Sequence, residues 1–222
     1  AADDNSGSLT YVKICYAGAR STADIEHNGL TLNGVGNGTK IENIYVLESA
    51  DDAIEFFGGT VNVTNLLAVN PDDDMFDFTQ GYCGTLKNCY GVWESDYTST
   101  EADPRGIEAD GNMDGLYPDH LRQSDFKVEN MTIVNNAANT ADNVDRMQDV
   151  IKIRRGAKAT ITNALVKGTG GAIDLVDMKD SKGAGNIESS INITSTLSLT
   201  GLKQNGELNT FVESADNTGA DA

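Results

Sequence analysis

Two segments of the chain, 22 residues apart, each carry a group of acidic residues. The seven carboxylates are Asp51, Asp52, Glu55, Asp72, Asp73, Asp74 and Asp77. Crowded carboxylates repel one another unless protons or cations neutralise them, and calcium prefers oxygen ligands of this kind. We therefore expect these residues to bind a structural Ca²⁺ ion. The alternative is an acidic face that is only solvated.

A second acidic segment has the spacing with which a calcium-binding loop begins. Asp110, Asn112 and Asp114 are followed by Gly115, which gives the pattern D-x-N-x-D-G. The position that needs a glutamate in a complete EF-hand loop is Leu121. The spacing therefore predicts a calcium-binding turn and not an EF-hand.

Three acidic residues could instead catalyse glycoside hydrolysis. If Glu55, Asp77 and Glu108 lie on successive turns of a repeating fold, their separation approaches the ~5–5.5 Å of retaining glycosidases, or the ~6.5–9.5 Å of inverting ones. A lyase would need calcium and a basic residue, which Lys152, Arg154 or Arg155 could supply. Acidic residues that only keep the protein in solution are the simpler interpretation.

Aromatic and basic residues concentrate in one long insertion, residues 94–122. Insertions in repeat proteins commonly form the binding surface. We expect a carbohydrate site here, and the alternative is a solvated pair of loops. The candidate ligand-binding residues are Trp93, Tyr97, Arg105, Tyr117, His120 and Arg122.

The overall charge restricts the partners. The 222 residues include 34 acidic and 16 basic ones, so the net charge is −18. Nucleic acids and anionic lipids need clustered Lys and Arg, so neither is expected as a partner. No apolar run reaches the ~20 residues of a membrane span, so we expect no membrane insertion. Two histidines are too few for a multi-histidine metal site, and Cys83 and Cys89 could form a disulfide.

The elements that position these residues are short strands with a recurring offset of 22. Apolar residues occupy the strand starts, and the residue after each one forms an outward column. The predicted inward positions are Leu30, Ile54, Phe76, Ile107, Ile151 and Ile173. The predicted outward column is Thr31, Glu55, Asp77, Glu108, Lys152 and Asp174. Alternation of this kind is typical of strands with one buried face.

Asparagines recur at another fixed position, two residues after an apolar one. The residues are Asn43, Asn65, Asn88, Asn130 and Asn163. We interpret them as an internal asparagine ladder at a bend, in which each amide bonds its neighbours one coil above and below. Ordinary turn residues are the alternative.

The repeat resembles the right-handed parallel β-helix family of secreted and surface-anchored bacterial proteins, many of which have no assigned activity. The resemblance is carried by segments 6–12, 28–36, 51–59 and 72–78. It implies an all-β fold, a single right-handed parallel β-helix with about 22 residues per coil and about seven coils, and an extracellular or cell-surface location. We expect one domain over 1–222, either complete or as a fragment of a longer solenoid, with loops at 94–122, 135–148 and 177–185.

The function predicted from these features is a non-catalytic, calcium-stabilised module that binds a polysaccharide or a cell-surface component, or that has a structural role. β-Helix enzymes that resemble polygalacturonases or pectate lyases suggest the first alternative, a polysaccharide hydrolase or lyase that uses the acidic column and the 94–122 loops. The second alternative is a subunit that stacks end to end into filaments. In a solenoid that begins in mid-coil, the N-terminal end would dock onto further coils or onto a second copy.

Overall fold

The fold is described from a computed structural model. It covers residues 1–19, 21–22, 27–112, 122–137, 147, 149–170, 172, 175–179 and 188–195, and the backbone of strand residues 174, 197–198, 203–204, 207–208 and 210–213. All regular elements in these ranges are β-strands. The protein is therefore all-β, as the sequence predicts. The search for a membrane-spanning helix, limited to the same ranges, found no candidate.

Two parallel sheets make up most of the fold, and successive strands alternate between them. In the first sheet the order is β1-β3-β5-β7-β9-β11-β13, with β14 also paired to β11. Its strands are β1 (Ser8–Cys15), β3 (Lys40–Leu47), β5 (Asn62–Val69), β7 (Thr85–Trp93), β9 (Asp125–Asn135), β11 (Lys158–Lys167), β13 (Ser190–Thr194) and β14 (Leu197–Ser198).

The second sheet has shorter strands in the order β17-β12-β10-β8-β6-β4-β2. They are β2 (Leu30–Asn33), β4 (Ile54–Phe57), β6 (Phe76–Thr79), β8 (Ile107–Asp110), β10 (Asp149–Arg154), β12 (Asp174–Asp177) and β17 (Thr210–Glu213). A separate antiparallel pair consists of β15 (Lys203–Gln204) and β16 (Glu207–Leu208). Because consecutive strands belong to different sheets, each residue of a strand has its in-register partner one coil away.

The core lies between the two sheets. Alternate residues point inward, so that Ile54 and Phe56 of β4 are fully buried while Glu55 between them is partly exposed. Phe56 and Phe78 stack with ring centroids 5.1 Å apart, and Phe78 stacks on Phe126 at 4.1 Å. Aromatic rings stacked from coil to coil bury a large apolar area. They make the core continuous across successive strands of the two sheets.

The strands of the first sheet bend at asparagines with left-handed backbone geometry. Asn43, Asn65, Asn88, Asn130 and Asn163 all have φ between 54° and 60°. After Asn43, the Nδ2 group of each donates to the Oδ1 atom of the preceding one, at 2.8, 3.0, 2.8 and 2.8 Å. Asparagine tolerates this conformation better than most residues. The predicted internal location is wrong, because these side chains lie on the exterior of the bend.

The register confirms most of the predicted columns and corrects one. Leu30 pairs with Ile54, Phe76 with Ile107, and Ile107 with Ile151. The offset of 22 holds for β3 with β5 and for β4 with β6.

The predicted match of Ile151 to Ile173 is wrong. Ile151 pairs with Val176, an offset of 176 − 151 = 25, and Lys152 pairs with Asp177. Asp177 therefore takes the place predicted for Asp174 in the outward column. Asp174 pairs instead with Asp149.

Candidate cation site and the adjoining groove

The predicted carboxylates lie where the chain enters strands β4 and β6. Glu55 and Asp77 pair directly, and Asp77 pairs in turn with Glu108 on β8. The segments that precede the strands are also aligned, since the Ala53 amide donates to the Asp74 carbonyl at 2.9 Å. The fold therefore brings the two acidic segments side by side. We call Asp51, Asp52, Glu55, Asp73, Asp74 and Asp77 the acidic cluster.

Two groups of three carboxylates within this cluster are close enough to share a cation. Asp51, Asp52 and Asp73 each offer an oxygen within 4.8 Å of the others, and the same is true of Asp52, Glu55 and Asp77. Asp52 belongs to both groups. Hard cations such as Ca²⁺ are bound by oxygen atoms assembled in this way.

Several oxygens of the cluster are buried without a hydrogen-bond partner. Asp52 and Asp74 are 5% and 3% exposed, and the Asp74 amide donates to Asp52 Oδ1 at 2.9 Å. The Oδ1 atoms of Asp73, Asp74 and Asp77 are buried and accept no hydrogen bond. A buried oxygen without a partner is costly, and such atoms need an explanation such as a proton or an ion.

The electrostatics of the cluster also indicate that a proton or a cation must neutralise it. Burial raises the pKa of Asp52, Asp73, Asp74 and Asp77 well above 3.8, and neighbouring carboxylates raise it further. For Asp52 the largest neighbouring charge is that of Asp74, and for Asp77 it is that of Glu55. Without a bound cation, the cluster is therefore expected to retain protons that carboxylic acids ordinarily lose.

Asn28 provides a further oxygen that could bind a cation, and the pattern of acidic residues in the sequence does not reveal it. Its Nδ2 group donates to Glu55 Oε2, and its Oδ1 atom is buried without a partner. Asn28 precedes β2, on the coil next to Glu55. The alignment of Thr31 with Glu55 is a signal for this contact, because Thr31 pairs with Glu55 and Asn28 lies only three residues before Thr31.

Asp72 does not fit the predicted ligand set. Its Oδ1 accepts bonds from the Tyr97 hydroxyl at 3.1 Å and the Thr100 amide at 2.7 Å. Its Oδ2 accepts a bond from the Thr100 hydroxyl at 2.5 Å. The carboxylate thus anchors the loop that follows β7.

Beyond β6, basic side chains neutralise the outward column. Arg105 pairs with Glu108, with Asp103 at 3.0 Å and with Asp149 at 3.4 Å. Arg154 pairs with Glu108 and, at 2.8 Å, with Asp110, while Lys152 pairs with Asp177 at 2.5 Å. We call these groups the arginine network. Of the three bases predicted for a lyase, Lys152 and Arg154 are at most 8% exposed and held in ion pairs, whereas Arg155 is partly exposed.

The predicted calcium turn at Asp110 is occupied by cationic side chains. Asp110 accepts bonds from Arg154 and, at 3.3 Å, from Arg155. Asn112 is buried, with its Nδ2 group donating to Gln123 Oε1 at 3.1 Å. A metal ion at Asp110 would be repelled by two guanidinium groups, so the structure contradicts this assignment. Asp114, the third predicted ligand, lies outside the described residues.

The predicted carbohydrate-binding residues do not form one surface. Trp93 is fully buried, and its indole nitrogen donates to the Pro71 carbonyl at 3.0 Å. Arg105 is buried in the arginine network. Tyr97 is partly exposed and Arg122 is exposed. Tyr117 and His120 lie outside the described residues. Trp93 therefore has no surface on which a sugar could stack, and this part of the prediction is wrong.

A groove of about 370 Å³ lies beside the acidic cluster, where the chain leaves the first sheet. We call it the tyrosine groove. Its lining residues come from three successive corners and from the loop after β7. They are Tyr16, Ala17, Ala19, Glu48, Ser49, Ala50, Asp72, Tyr97, Thr98 and Thr100. Tyr97 is the one predicted ligand-binding residue among them.

Comparison with known proteins identifies the family. No curated protein and no solved structure gives a significant match to the chain. Residues 1–222 match the family described as "Pectate-lyase like beta helix domain". This match agrees with the parallel strands of the two sheets and confirms the resemblance predicted from the repeat. The chain belongs to the pectate-lyase-like β-helix domain family.

Proposed function

We propose that the protein is a non-catalytic, extracellular β-helix module that binds carbohydrate and is stabilised by Ca²⁺ held in the acidic cluster. We also propose that the strands form a closed solenoid, in which each coil has about 22 residues and the insertions lengthen some of the coils. The ligands of the ion would be Asp52, Glu55 and Asp77, with Asn28 Oδ1 beside them. The membership of a pectate-lyase-like family supports the carbohydrate-related role.

The main support for this proposal is a contrast between two groups of acidic residues. Glu108, Asp110 and Asp177 have cationic partners, whereas the acidic cluster has buried oxygens without any hydrogen-bond partner. In one half of this sheet, arginines and a lysine thus neutralise the buried negative charge. A divalent cation would neutralise it in the other half.

Thermal melting with and without calcium tests this function. A ligand that binds only the folded protein stabilises it by about 2.7 kcal/mol at a hundredfold excess over Kd. For a chain of this length that corresponds to a rise in Tm of roughly 5–10 °C. We expect such a rise on adding calcium to protein stripped with EGTA, and its loss in Asp77→Asn.

Asp125→Asn is the matched control, because Asp125 is an exposed carboxylate on β9 outside the cluster. It should keep the full response to calcium. An unchanged Tm of the unmodified protein in both EGTA and calcium would contradict the proposal.

One observation favours hydrolysis as a second candidate function. Glu55 and Asp77 are in register on adjacent strands, which lie about 4.8 Å apart. This separation is close to that of the carboxyl pair in retaining glycosidases, and the raised pKa of Asp77 suits a general acid. Reducing ends released from a panel of polysaccharides, and lost in Glu55→Gln and Asp77→Asn, would establish hydrolysis. Glu108→Gln tests the third predicted carboxylate in the same assay.

A further inference from the structure

One buried ion pair of the second sheet places a primary amine against a carboxyl group. Lys152 on β10 and Asp177 on β12 are partners in register on adjacent strands. The Lys152 Nζ and Asp177 Oδ2 atoms are 2.5 Å apart, and the two side chains are 4% and 8% exposed. The two groups are therefore held in contact where little water reaches them.

This pair differs in chemistry from other ion pairs of the described residues. Lys87 and Glu129 also pair a lysine with a carboxylate, but they are 48% and 41% exposed. Asp110 is buried, but its partner Arg154 carries a guanidinium group, which stays protonated in proteins. A lysine amine can lose its proton and act as a nucleophile. Lys152 thus combines a potential nucleophile with a buried carboxyl group in contact with it.

The Asp177 carboxyl group is oriented for attack by this amine. Its Oδ2 atom faces Lys152 Nζ, and its Oδ1 atom accepts a hydrogen bond from the Lys179 backbone amide at 2.7 Å. A backbone donor in this position stabilises the negative charge that develops on Oδ1 when a nucleophile adds to Cγ. The same hydrogen bond remains in an amide product, in which Oδ1 is the carbonyl oxygen. The orientation therefore favours the departure of Oδ2.

A third carboxyl group lies near the pair. Asp149 on β10 has a side chain that is 7% exposed, and its Oδ2 atom accepts a bond from Arg105 Nε at 3.4 Å. Burial raises the pKa of Asp149 to about 6, although the Arg105 charge lowers it, and the charges of Asp177 and Lys152 also act on it. A carboxyl group with such a pKa can accept and donate protons near neutral pH. Asp149 can therefore transfer a proton between its two neighbours.

We infer that Lys152 and Asp177 condense to an intramolecular amide bond, with Asp149 as the proton carrier. A proton passes from the Lys152 ammonium through Asp149 to Asp177, and the neutral Nζ then attacks Cγ. The Cγ–Oδ2 bond breaks, and Oδ2 leaves as water with a second proton from the amine. The reaction needs no oxidant, reductant or further reactant, and it removes two buried charges.

The fixed position of the two groups favours the condensation. Well-oriented intramolecular groups reach effective molarities of about 10⁵–10⁸ M, which replaces the activation that amide formation needs between free molecules. The bond links adjacent strands of the second sheet covalently. It requires neither the calcium ion nor a carbohydrate, so it goes beyond the proposed function.

Mass spectrometry of the intact, denatured protein tests this bond. The unmodified protein should have the mass of its sequence less one water molecule. Lys152→Arg keeps a cation beside Asp177 but removes the primary amine, so this variant should have the full mass of its sequence. In Asp177→Asn the same bond releases ammonia, so the loss should change from one water to one ammonia molecule. In the unmodified protein, trypsin should not cleave after Lys152, and tandem spectra should show the peptides of Lys152 and Asp177 joined.

Lys87→Arg is the matched control, because it makes the same substitution in an exposed ion pair. It should lose one water molecule as the unmodified protein does. Asp149→Asn should slow bond formation at least about a hundredfold while the circular dichroism is retained. Asp149→Glu should restore part of the rate, because it returns a carboxyl group to this position.

Three outcomes would overturn the inference. A full sequence mass of the unmodified protein would show that Lys152 and Asp177 remain an ion pair, and this result depends on no variant. A loss of water that persists in Lys152→Arg would place the dehydration elsewhere, for example in a cyclic imide of an aspartate. Unchanged bond formation in Asp149→Asn would remove the proton carrier from the reaction.

Discussion

At the scale of single residues, the main feature is how buried charge is compensated. Arg154 bridges Glu108 and Asp110 from the adjacent coil, and its side chain is 10% exposed. Removing one member of a buried ion pair leaves an uncompensated charge, which is far more costly than the loss of a surface pair. Arg154 is therefore a stringent test of the arginine network.

Arg154→Met should lower the free energy of unfolding by about 3 kcal/mol or more, because Glu108 and Asp110 each lose a buried cationic partner. Urea denaturation at neutral pH measures the change. Lys87→Met is the control, since Lys87 and Glu129 form a pair that is about half exposed and worth at most about 1 kcal/mol. Equal effects of the two substitutions would contradict the structural role given to the network.

The compensation could not be predicted from the sequence. Arg154 and Asp110 are 44 residues apart and meet only because β8 and β10 pair across a long insertion. The positions of the acidic residues can be read from the sequence, but the basic residues that pair with them are determined by this register. The burial of Trp93 could not be predicted either, because an aromatic residue beside a loop is consistent with either a core or a binding surface.

At the scale of elements, the bend in the first sheet is held by asparagines. Asn88 donates to Asn65 and accepts from Asn130, and its φ of 54° is unfavourable for residues with a β-carbon. Two properties therefore contribute to its stabilising effect, the backbone conformation and the side-chain amide. Glycine retains the first and loses the second.

Asn88→Ala should destabilise the protein by about 2–3 kcal/mol, from lost amide hydrogen bonds and a strained backbone. Asn88→Gly should cost less, and the difference between them gives the backbone contribution. Asn192→Ala, at an exposed position of β13 whose φ is not positive, should be nearly neutral. Urea denaturation compares the three, and equal effects of Ala and Gly would assign the whole cost to the amide bonds.

The strands themselves could be predicted well. Period-two alternation identified the buried residues of β4, β6 and β8 because each strand is short and has one buried face. Extrapolation failed at Ile173 because the offset there is 25 and not 22. A fixed period predicts register only where the connecting loops keep their length, and each insertion resets it.

At the scale of the whole molecule, the net charge of −18 has an uneven effect on stability. The carboxyl groups of the acidic cluster have pKa values raised by burial above their ordinary values. A raised folded-state pKa means that the folded protein binds more protons than the unfolded chain between the two values. Its stability therefore increases as the pH falls through that window.

In EGTA, the Tm should rise as the pH is lowered from neutral to mildly acidic values, opposite to ordinary acid denaturation. In saturating calcium the rise should be smaller or reversed, because protons then compete with the bound ion. Differential scanning calorimetry over this range checks both expectations. A Tm in EGTA that falls steadily as the pH is lowered would contradict the unfavourable charge assigned to the cluster.

The asparagine amides all point the same way along the axis on which the strands of the first sheet stack. In every pair the nitrogen of the later residue donates to the oxygen of the earlier one, so Asn43 takes part through its oxygen and Asn163 through its nitrogen. The row therefore has a donor terminus and an acceptor terminus, and its amide dipoles add. Because Tyr11 on β1 and Ser195 after β13 take the corresponding positions at the two ends of the sheet, the row stays within one molecule, and copies stacked along this axis would not extend it.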